Sequence, residues 1–231
     1  MQHRKHRLIP YGQRIKSGPV GSVLCNLFRG LLASAGVDQD SYSRLVERSA
    51  QRPMKGESPS SIVGLGKELM RESITWKTFL RGLEFVKIKK FEFIIALYLE
   101  DGRELHFAEA YMLNQITSQG VILSNIFKAL IGSGVMDITK HSDLMARYLG
   151  NACANMDRTK RSAARASLTK ELFKPTMTWK SFVKGMVYLS AVRVEITLKA
   201  YPLFGRQAEV LGAREVINLS DFKDDIDEAS E

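Results

Sequence analysis

The chain has 231 residues, of which 45% are hydrophobic and 26% are charged, with a formal net charge of +9. These proportions are typical of a folded globular protein and exclude an intrinsically disordered chain, and the length allows one large domain or two small ones. No run approaches the roughly 20 apolar residues that a membrane helix needs, and the N-terminus lacks the apolar core of a secretory signal, so we expect no membrane partner and a cytoplasmic location.

Charge is distributed unevenly along the chain. Residues 1–18 form a basic N-terminal arm that contains no acidic residue. Residues 214–231 form an acidic C-terminal tail, in which six acids and one lysine from Asp221 onward give a net charge of −5, so the preceding 220 residues carry +14. A basic arm is typical of contact with a polyanion, whereas an acidic tail is typical of a solvated end that can compete for the same basic surface.

An internal repeat lies between these two ends. Residues 75–82 (TWKTFLRG) match residues 178–185 (TWKSFVKG) at an offset of 103, with five identities in eight positions. Upstream, apolar and polar positions from Leu24 match those from Leu123 at an offset of 99. The pattern predicts an internal duplication. We place repeat 1 at residues 19–110 and repeat 2 at residues 118–213.

Each repeat is predicted to begin with helices. Apolar residues at helical spacing predict a first helix over residues 23–33 and its counterpart over residues 121–131. Further helices are expected around residues 42–48 and 142–149, and at the Lys-Glu-Leu segments, residues 67–69 and 170–172. The Arg- and Ala-rich connection at residues 151–166 also favours helix.

The Thr-Trp-Lys segments predict an amphipathic helix with an aromatic stripe in the core. Trp76, Phe79 and Leu83 share one face of that helix in repeat 1, and Trp179 and Phe182 repeat the pattern. The threonine before each tryptophan is predicted to cap the helix N-terminus through its hydroxyl group.

A β-hairpin is predicted to follow the helices in each repeat. Residues 91–99 alternate between apolar and other side chains, and Asp101-Gly102 predicts the turn into a second strand. In repeat 2, Val192, Val194, Ile196 and Leu198 are expected to face the core, whereas the alternate residues Arg193, Glu195, Thr197 and Lys199 are expected to face solvent. The returning strand is expected over residues 206–210.

The predicted fold class is therefore helix-rich α+β, with three to four helices followed by a β-hairpin in each repeat. Because a lone hairpin is marginal in water, we expect the two hairpins to join into one four-stranded antiparallel sheet.

No catalytic or metal-binding motif is recognisable in the sequence. The Gly64-Leu65-Gly66-Lys67 segment lacks the spacing of a phosphate-binding loop. The two cysteines, Cys25 and Cys153, are far apart and form no Cys-x-x-Cys pair. We therefore expect a protein that is not an enzyme and that uses no cofactor, no metal and no small-molecule substrate.

Clusters of basic residues are the candidate binding surface, because lysine and arginine neutralise phosphates with little dependence on base sequence. The candidate residues are Arg4, Lys5 and Arg7 in the arm, Lys77, Arg81, Lys87, Lys89 and Lys90 in repeat 1, and Arg158, Lys160, Arg161, Arg165, Lys180 and Lys184 in repeat 2. They favour a non-enzymatic, sequence-nonspecific nucleic-acid-binding accessory protein with one basic patch in each repeat.

The second repeat also carries a family resemblance. Its Asp157-Arg158, Arg161-Ser162-Ala163-Ala164-Arg165, Lys170-Glu171-Leu172 and Met177-Thr178-Trp179-Lys180 segments resemble small proteins of unassigned role encoded by tailed bacteriophages. That resemblance implies a virion component or a factor in the host cytoplasm, either of which could contact phage DNA. The alternative function is a structural or adaptor subunit of a phage virion or another large assembly, with protein partners or self-association.

Overall fold

A computed structural model describes residues 20–53, 56–115, 118–131, 157–202 and 210–222. Its helices are α1 (Val20–Ser34), α2 (Gln39–Gln51), α3 (Pro59–Leu69), α4 (Trp76–Phe85), α5 (Gln119–Leu130), α6 (Arg158–Leu172) and α7 (Trp179–Tyr188). Its strands are β1 (Ile88–Leu99), β2 (Glu104–Met112), β3 (Ala191–Pro202) and β4 (Leu211–Asn218), with short 3-10 helices at Leu113–Gln115 and Leu219–Phe222. The strands form one antiparallel sheet in the order β2-β1-β3-β4, which confirms the predicted α+β class and the four-stranded sheet.

The chain divides into two compact units, each discontinuous in sequence. Unit 1 consists of Met1–Ile94, Glu109–Ile116 and Ile196–Glu215, and unit 2 consists of Ile95–Ala108, Thr117–Glu195 and Val216–Glu231. Each unit thus combines its own helices with part of every strand. Units defined by contacts need not coincide with repeats in sequence, so the repeat boundaries at residues 19–110 and 118–213 stay a prediction.

Unit 1 is built around α1, which is buried along most of its length. Leu27, Phe28 and Leu31 of this helix are at most 1% exposed. Helix α1 packs on α4, and α3 packs on both α2 and α4. The Tyr42 hydroxyl in α2 donates a hydrogen bond to the Gly66 carbonyl in α3 at 3.0 Å, so a buried hydrogen bond links these two helices.

Unit 2 packs α5 and α6 against α7. Phe127 and Leu130 of α5 and Met186 of α7 are almost fully buried. The turn between β1 and β2 also belongs to this unit, and Gly102 occupies it with φ +82°, a left-handed conformation that glycine adopts without steric cost. The Leu99 amide donates to the Arg103 carbonyl at 2.9 Å across the turn, so the predicted Asp101-Gly102 turn is confirmed.

The burial pattern predicted for β3 is wrong at two positions. Val192, predicted to face the core, is 46% exposed, because it lies at the beginning of the strand. Glu195, predicted to face solvent, is only 7% exposed. It lies in an interior strand and pairs with the Arg193 guanidinium at 3.5 Å, so its charge is compensated.

The described returning strand of the second hairpin is β4. Strand β4 begins at Leu211, whereas residues 206–209 of the predicted strand lie outside the described part of the chain. Ala213, Glu215 and Ile217 form its buried side. Because one of these buried residues is a glutamate, the sequence does not show the alternation of apolar and polar residues that is typical of a strand. Strand β4 therefore extends past residue 213 into the segment assigned to the acidic tail. The helix expected over residues 142–149 lies outside the described residues.

Candidate nucleic-acid interface

Helix α4 presents two predicted cations on its solvent side. The Thr75 hydroxyl caps its N-terminus, as predicted, by accepting a hydrogen bond from the Thr78 amide at 3.1 Å. Phe79 and Leu83 are fully buried, which confirms the core face of the stripe. Lys77 is exposed and Arg81, one turn later, is half-buried.

Helix α7 repeats this arrangement 103 residues later. The Thr178 hydroxyl accepts from the Ser181 amide at 3.1 Å, and Phe182 is 1% exposed. Lys180 is exposed and Lys184 is half-buried, at the positions that Lys77 and Arg81 occupy in α4. We call Lys77 with Arg81, and Lys180 with Lys184, the helix cation pairs.

A hydroxyl–carboxylate bond anchors each of these helices to the preceding one. The Thr78 hydroxyl donates to Glu68 Oε1 in α3 at 2.6 Å, and the Ser181 hydroxyl donates to Glu171 Oε1 in α6. Thr78 and Ser181 are both buried, so each hydrogen bond joins the two helices in the interior of its unit. The cations of α4 and α7 therefore project from helices held firmly in place.

The tryptophans are the first residues of α4 and α7, and each packs against the phenylalanine three positions later in the same helix. Trp76 stacks on Phe79 with ring centroids 5.5 Å apart, and Trp179 stacks on Phe182 at 5.6 Å. Both indoles are half-buried, and their Nε1 atoms are buried without a hydrogen-bond partner. These rings contribute packing area and no polar contact.

One member of the helix cation pairs, Arg81, has an acidic neighbour. The Arg81 guanidinium lies 3.3 Å from a Glu57 carboxylate oxygen and contacts the Ser61 hydroxyl at 3.5 Å. Its side chain is 37% exposed, so solvent screens this ion pair strongly. Lys77 is therefore the more accessible cation of its pair.

The other basic residues predicted in repeat 1 do not form one patch. Lys87 lies in the turn from α4 to β1, in a left-handed conformation with φ +62°. Lys89 and Lys90 are both exposed, but they are consecutive residues of β1 and so project from opposite faces of the sheet.

The remaining predicted cations belong to α6 and to the N-terminal arm. Arg158, Lys160, Arg161 and Arg165 belong to the first half of α6, which confirms helix in that connection, but their side chains lie outside the described part of the structure. Arg4, Lys5 and Arg7 also lie outside the described residues.

Two cation–tyrosine pairs were missed by the sequence analysis. In unit 1 the Lys90 ammonium lies 5.0 Å from the ring centroid of Tyr201. In unit 2 the Arg193 guanidinium lies 3.8 Å from the ring centroid of Tyr98. Lys90 and Arg193 are 103 residues apart, as are Tyr98 and Tyr201, so the repeat offset contained this signal.

A glutamate completes each cation–tyrosine pair. The Tyr201 hydroxyl donates to Glu92 Oε2 at 3.1 Å in unit 1, and Glu195 pairs with Arg193 in unit 2. Glu92 and Glu195 also differ by 103 positions. Both clusters thus draw on one repeated sequence pattern: a basic residue, a glutamate two positions later, and a tyrosine six positions after the glutamate.

Within the described residues, no group of three or more histidine, cysteine or acidic side chains is placed to hold a metal ion. His106 lies in an exposed pair with Glu104, at 3.4 Å between Nε2 and the carboxylate. Among the same residues no single helix is long and apolar enough to cross a membrane. Taken together, α1 and α2 have the required length and composition, but the chain bends by 96° between them.

Comparison with protein-family models, with curated proteins and with solved structures finds no match to this chain.

Proposed function

We propose that this chain is an internal duplication that binds nucleic acid through the helix cation pairs, without sequence preference and without catalysing a reaction. The observation that carries the proposal is the recurrence of two cations, one turn apart, on the solvent side of two firmly anchored helices, α4 and α7.

Long-range contacts support the duplication. The Cys25 thiol donates to the Arg71 carbonyl at 2.8 Å, and the Ser124 hydroxyl donates to the Lys174 carbonyl at 2.7 Å. These pairs are related by the two offsets seen in the sequence, 99 for the first member and 103 for the second. A motif repeated by coincidence would not be expected to make the same contacts with residues about fifty positions away.

A second backbone contact follows the same rule. The Ile74 amide donates to the Gly21 carbonyl at 3.1 Å, and the Met177 amide donates to the Gly120 carbonyl at 2.9 Å. Both bonds tie the segment before a Thr-Trp-Lys helix to the first turn of the first helix of its repeat. Equivalent hydrogen bonds at equivalent positions support a common ancestry of the two halves.

Phosphate binding fits the chemistry of the helix cation pairs. Contacts to phosphates need accessible positive charge rather than a deep pocket, and they carry little sequence information. Lys77 and Lys180 are exposed, and the surplus charge of +14 over the first 220 residues would favour approach of a polyanion.

The direct test is equilibrium binding of a labelled DNA duplex over a series of salt concentrations. Replacing Lys77, Arg81, Lys180 and Lys184 together by glutamine should weaken binding at least about tenfold at low salt. It should also reduce the slope of log affinity against log salt by about 0.9 for each phosphate contact that is lost. Unchanged affinity and slope would refute the proposed surface.

A matched pair of lysines provides the control. Lys67 and Lys170 are exposed residues of α3 and α6, and they are also 103 positions apart. The double variant Lys67→Gln/Lys170→Gln removes the same charge as Lys77→Gln/Lys180→Gln, and it should lose less affinity. Equal losses would show an effect of net charge alone.

The alternative function, a structural or adaptor subunit, predicts a different outcome in a sizing experiment. Under the proposed function, any large complex of the protein should dissociate at high salt and after nuclease treatment. A stable oligomer or protein complex that survives both treatments, with no duplex binding, would support the alternative.

A further inference from the structure

On one side of the sheet in unit 1, several of the described side chains are exposed or half-buried. Phe93 of β1 lies against Trp76 of α4, and Ala213 of β4 lies where a Cβ on Gly30 of α1 would touch it, so these strand residues mark the helix side. Side chains alternate along a strand, so the neighbouring positions lie on the opposite side. We call that side in unit 1 the open face; its charged and aromatic residues are Lys90, Glu92, Lys199, Tyr201 and Arg214.

The open face is positively charged. Lys90, Lys199 and Arg214 oppose the single acid Glu92 among the described residues of this face. Lys90 and Arg214 are exposed, and Lys199 and Tyr201 are half-buried, so the cations and the ring can all be reached from solvent. The Tyr201 hydroxyl is held by Glu92, which fixes the direction of the ring.

We propose that the open face binds single-stranded nucleic acid, with Tyr201 stacking on a base and the three cations contacting phosphates. This inference rests on the proposed function, that the protein binds nucleic acid, and adds a second surface with a narrower ligand class. An aromatic ring among cations on an exposed sheet binds single strands because every unpaired base offers a face for stacking. A duplex keeps its base faces stacked internally, so it cannot use the ring.

The lysine over the ring is compatible with this role. Lys90 lies 5.0 Å from the Tyr201 centroid, and its charge sits on a flexible four-carbon chain. A phosphate can draw the ammonium group away from the ring and leave the ring face available to a base. The same movement would place a cation beside the bound backbone.

The corresponding cluster of unit 2 has a different balance of charge. Arg193 is stacked on Tyr98 at 3.8 Å and paired with the buried Glu195. On this side of the sheet in unit 2, Glu104 adds a second acid. Apart from His106, the charged side chains described there are therefore one cation and two acids. We assign no nucleic-acid contact to this cluster, and it therefore serves as the matched control for Tyr201.

The test compares Tyr201→Leu with Tyr98→Leu on three labelled probes: oligo(dT) and oligo(U) of about 20 nucleotides, and a DNA duplex of the same length. Because stacking on one aromatic side chain contributes a factor of about 5 to 150 in affinity, Tyr201→Leu should weaken binding of at least one single-stranded probe by a factor in that range. Duplex affinity should change less than about twofold, and Tyr98→Leu should leave all three affinities within that range. The preferred single-stranded probe identifies DNA or RNA as the ligand.

Two further variants keep the inference falsifiable if a leucine variant does not fold. Tyr201→Phe keeps the ring and should retain single-strand binding, whereas Lys199→Glu reverses one charge of the open face and should weaken it. Equal effects of the two leucine variants, or an unaltered single-strand affinity in Lys199→Glu, would overturn the inference. Duplex binding that depends on the helix cation pairs would still uphold the proposed function, and failure of the wild type to bind any probe would refute both.

Discussion

Gly82 of α4 lies directly against the ring of Phe28 in α1: a Cβ at position 82 would lie 2.9 Å from Phe28 Cε2 and 2.6 Å from a methyl group of Leu69. Gly185 of α7 has the same relationship to Phe127 and Leu172. Glycine in the middle of a helix is unfavourable by itself, so its presence at both positions reflects this close approach of two helices.

The first prediction follows from that contact. Gly82→Ala and Gly185→Ala should each lower the free energy of unfolding by about 1–3 kcal/mol, because the added methyl group overpacks a filled core. Gly64→Ala is the control, since nothing lies within 4 Å of its added Cβ on the exposed side of α3. It should raise stability by about 0.5–1 kcal/mol. Chemical denaturation measures all three, and a stabilised Gly82→Ala variant would contradict the described packing.

The second prediction concerns the helix caps. Thr75→Ala and Thr178→Ala should each cost about 0.5–2 kcal/mol of stability, because the amide of Thr78 or Ser181 loses its hydrogen-bond acceptor. The variants Thr75→Ser and Thr178→Ser keep the hydroxyl group and should cost less than their alanine counterparts. Thermal or denaturant unfolding distinguishes the two, and equal losses for serine and alanine would argue against capping.

The third prediction is a pH dependence that arises from Cys25. Burial raises the pKa of this thiol above its ordinary value of 9.0, against the opposing effect of the Arg29 charge. The unfolded chain therefore loses the proton first as pH rises. The stability that Cys25 contributes is complete below pH 9.0 and is lost between that value and the raised pKa.

Cys25→Ser isolates this effect. Serine does not titrate in this range and can donate to the Arg71 carbonyl as Ser124 does to that of Lys174. In reducing buffer, the wild type should lose up to about 1.4 kcal/mol per pH unit above pH 9, and the variant should lose less. Burial also raises the pKa of Tyr111, but from an ordinary value of 10.0, so its effect begins at higher pH. Identical pH profiles of the two proteins would contradict the assignment.

The fourth prediction concerns the residue that ends α7. Ser190 has φ +57°, and its amide donates to the Val187 carbonyl at 2.9 Å, a helix ending that favours glycine. Ser190→Gly should therefore raise the free energy of unfolding by about 0.5–1 kcal/mol. Ser190→Val should lower it, since a β-branched side chain is strained at positive φ. Denaturant midpoints check both, and a destabilised glycine variant would contradict the backbone conformation.

Local signals predicted most of the individual elements. The helical spacing of Leu27, Phe28 and Leu31 predicted α1, and Thr75 and Thr178 predicted where α4 and α7 begin, because capping acts within one turn of the chain. The Asp101-Gly102 turn was also readable, since the left-handed conformation of Gly102 is a local requirement.

The sequence was less informative about the candidate interface. It identified Lys77, Arg81, Lys180 and Lys184 as solvent-facing cations, because i and i+4 positions share one side of a helix. It grouped Lys89 with Lys90, which the strand places on opposite faces. The sequence did not identify Tyr201 as a candidate residue. Its place in the surface depends on contacts with Glu92, 109 residues away, and with Lys90 in the same strand as Glu92.

Local patterns were sufficient to predict the described helices, the N-caps of α4 and α7, the first hairpin turn and the surplus of positive charge, since each depends on composition or on residues within a few positions of one another. The tertiary structure was needed to show that Glu195 is buried, and that Glu215 is buried with Asn26 of α1, 189 positions away, as its hydrogen-bond partner. It also decided that Lys90 and Arg193 lie over tyrosines of another strand. The physical reason is that strand pairing and helix packing join residues distant in the chain, and the cost of burying a charge depends on which partner these contacts supply.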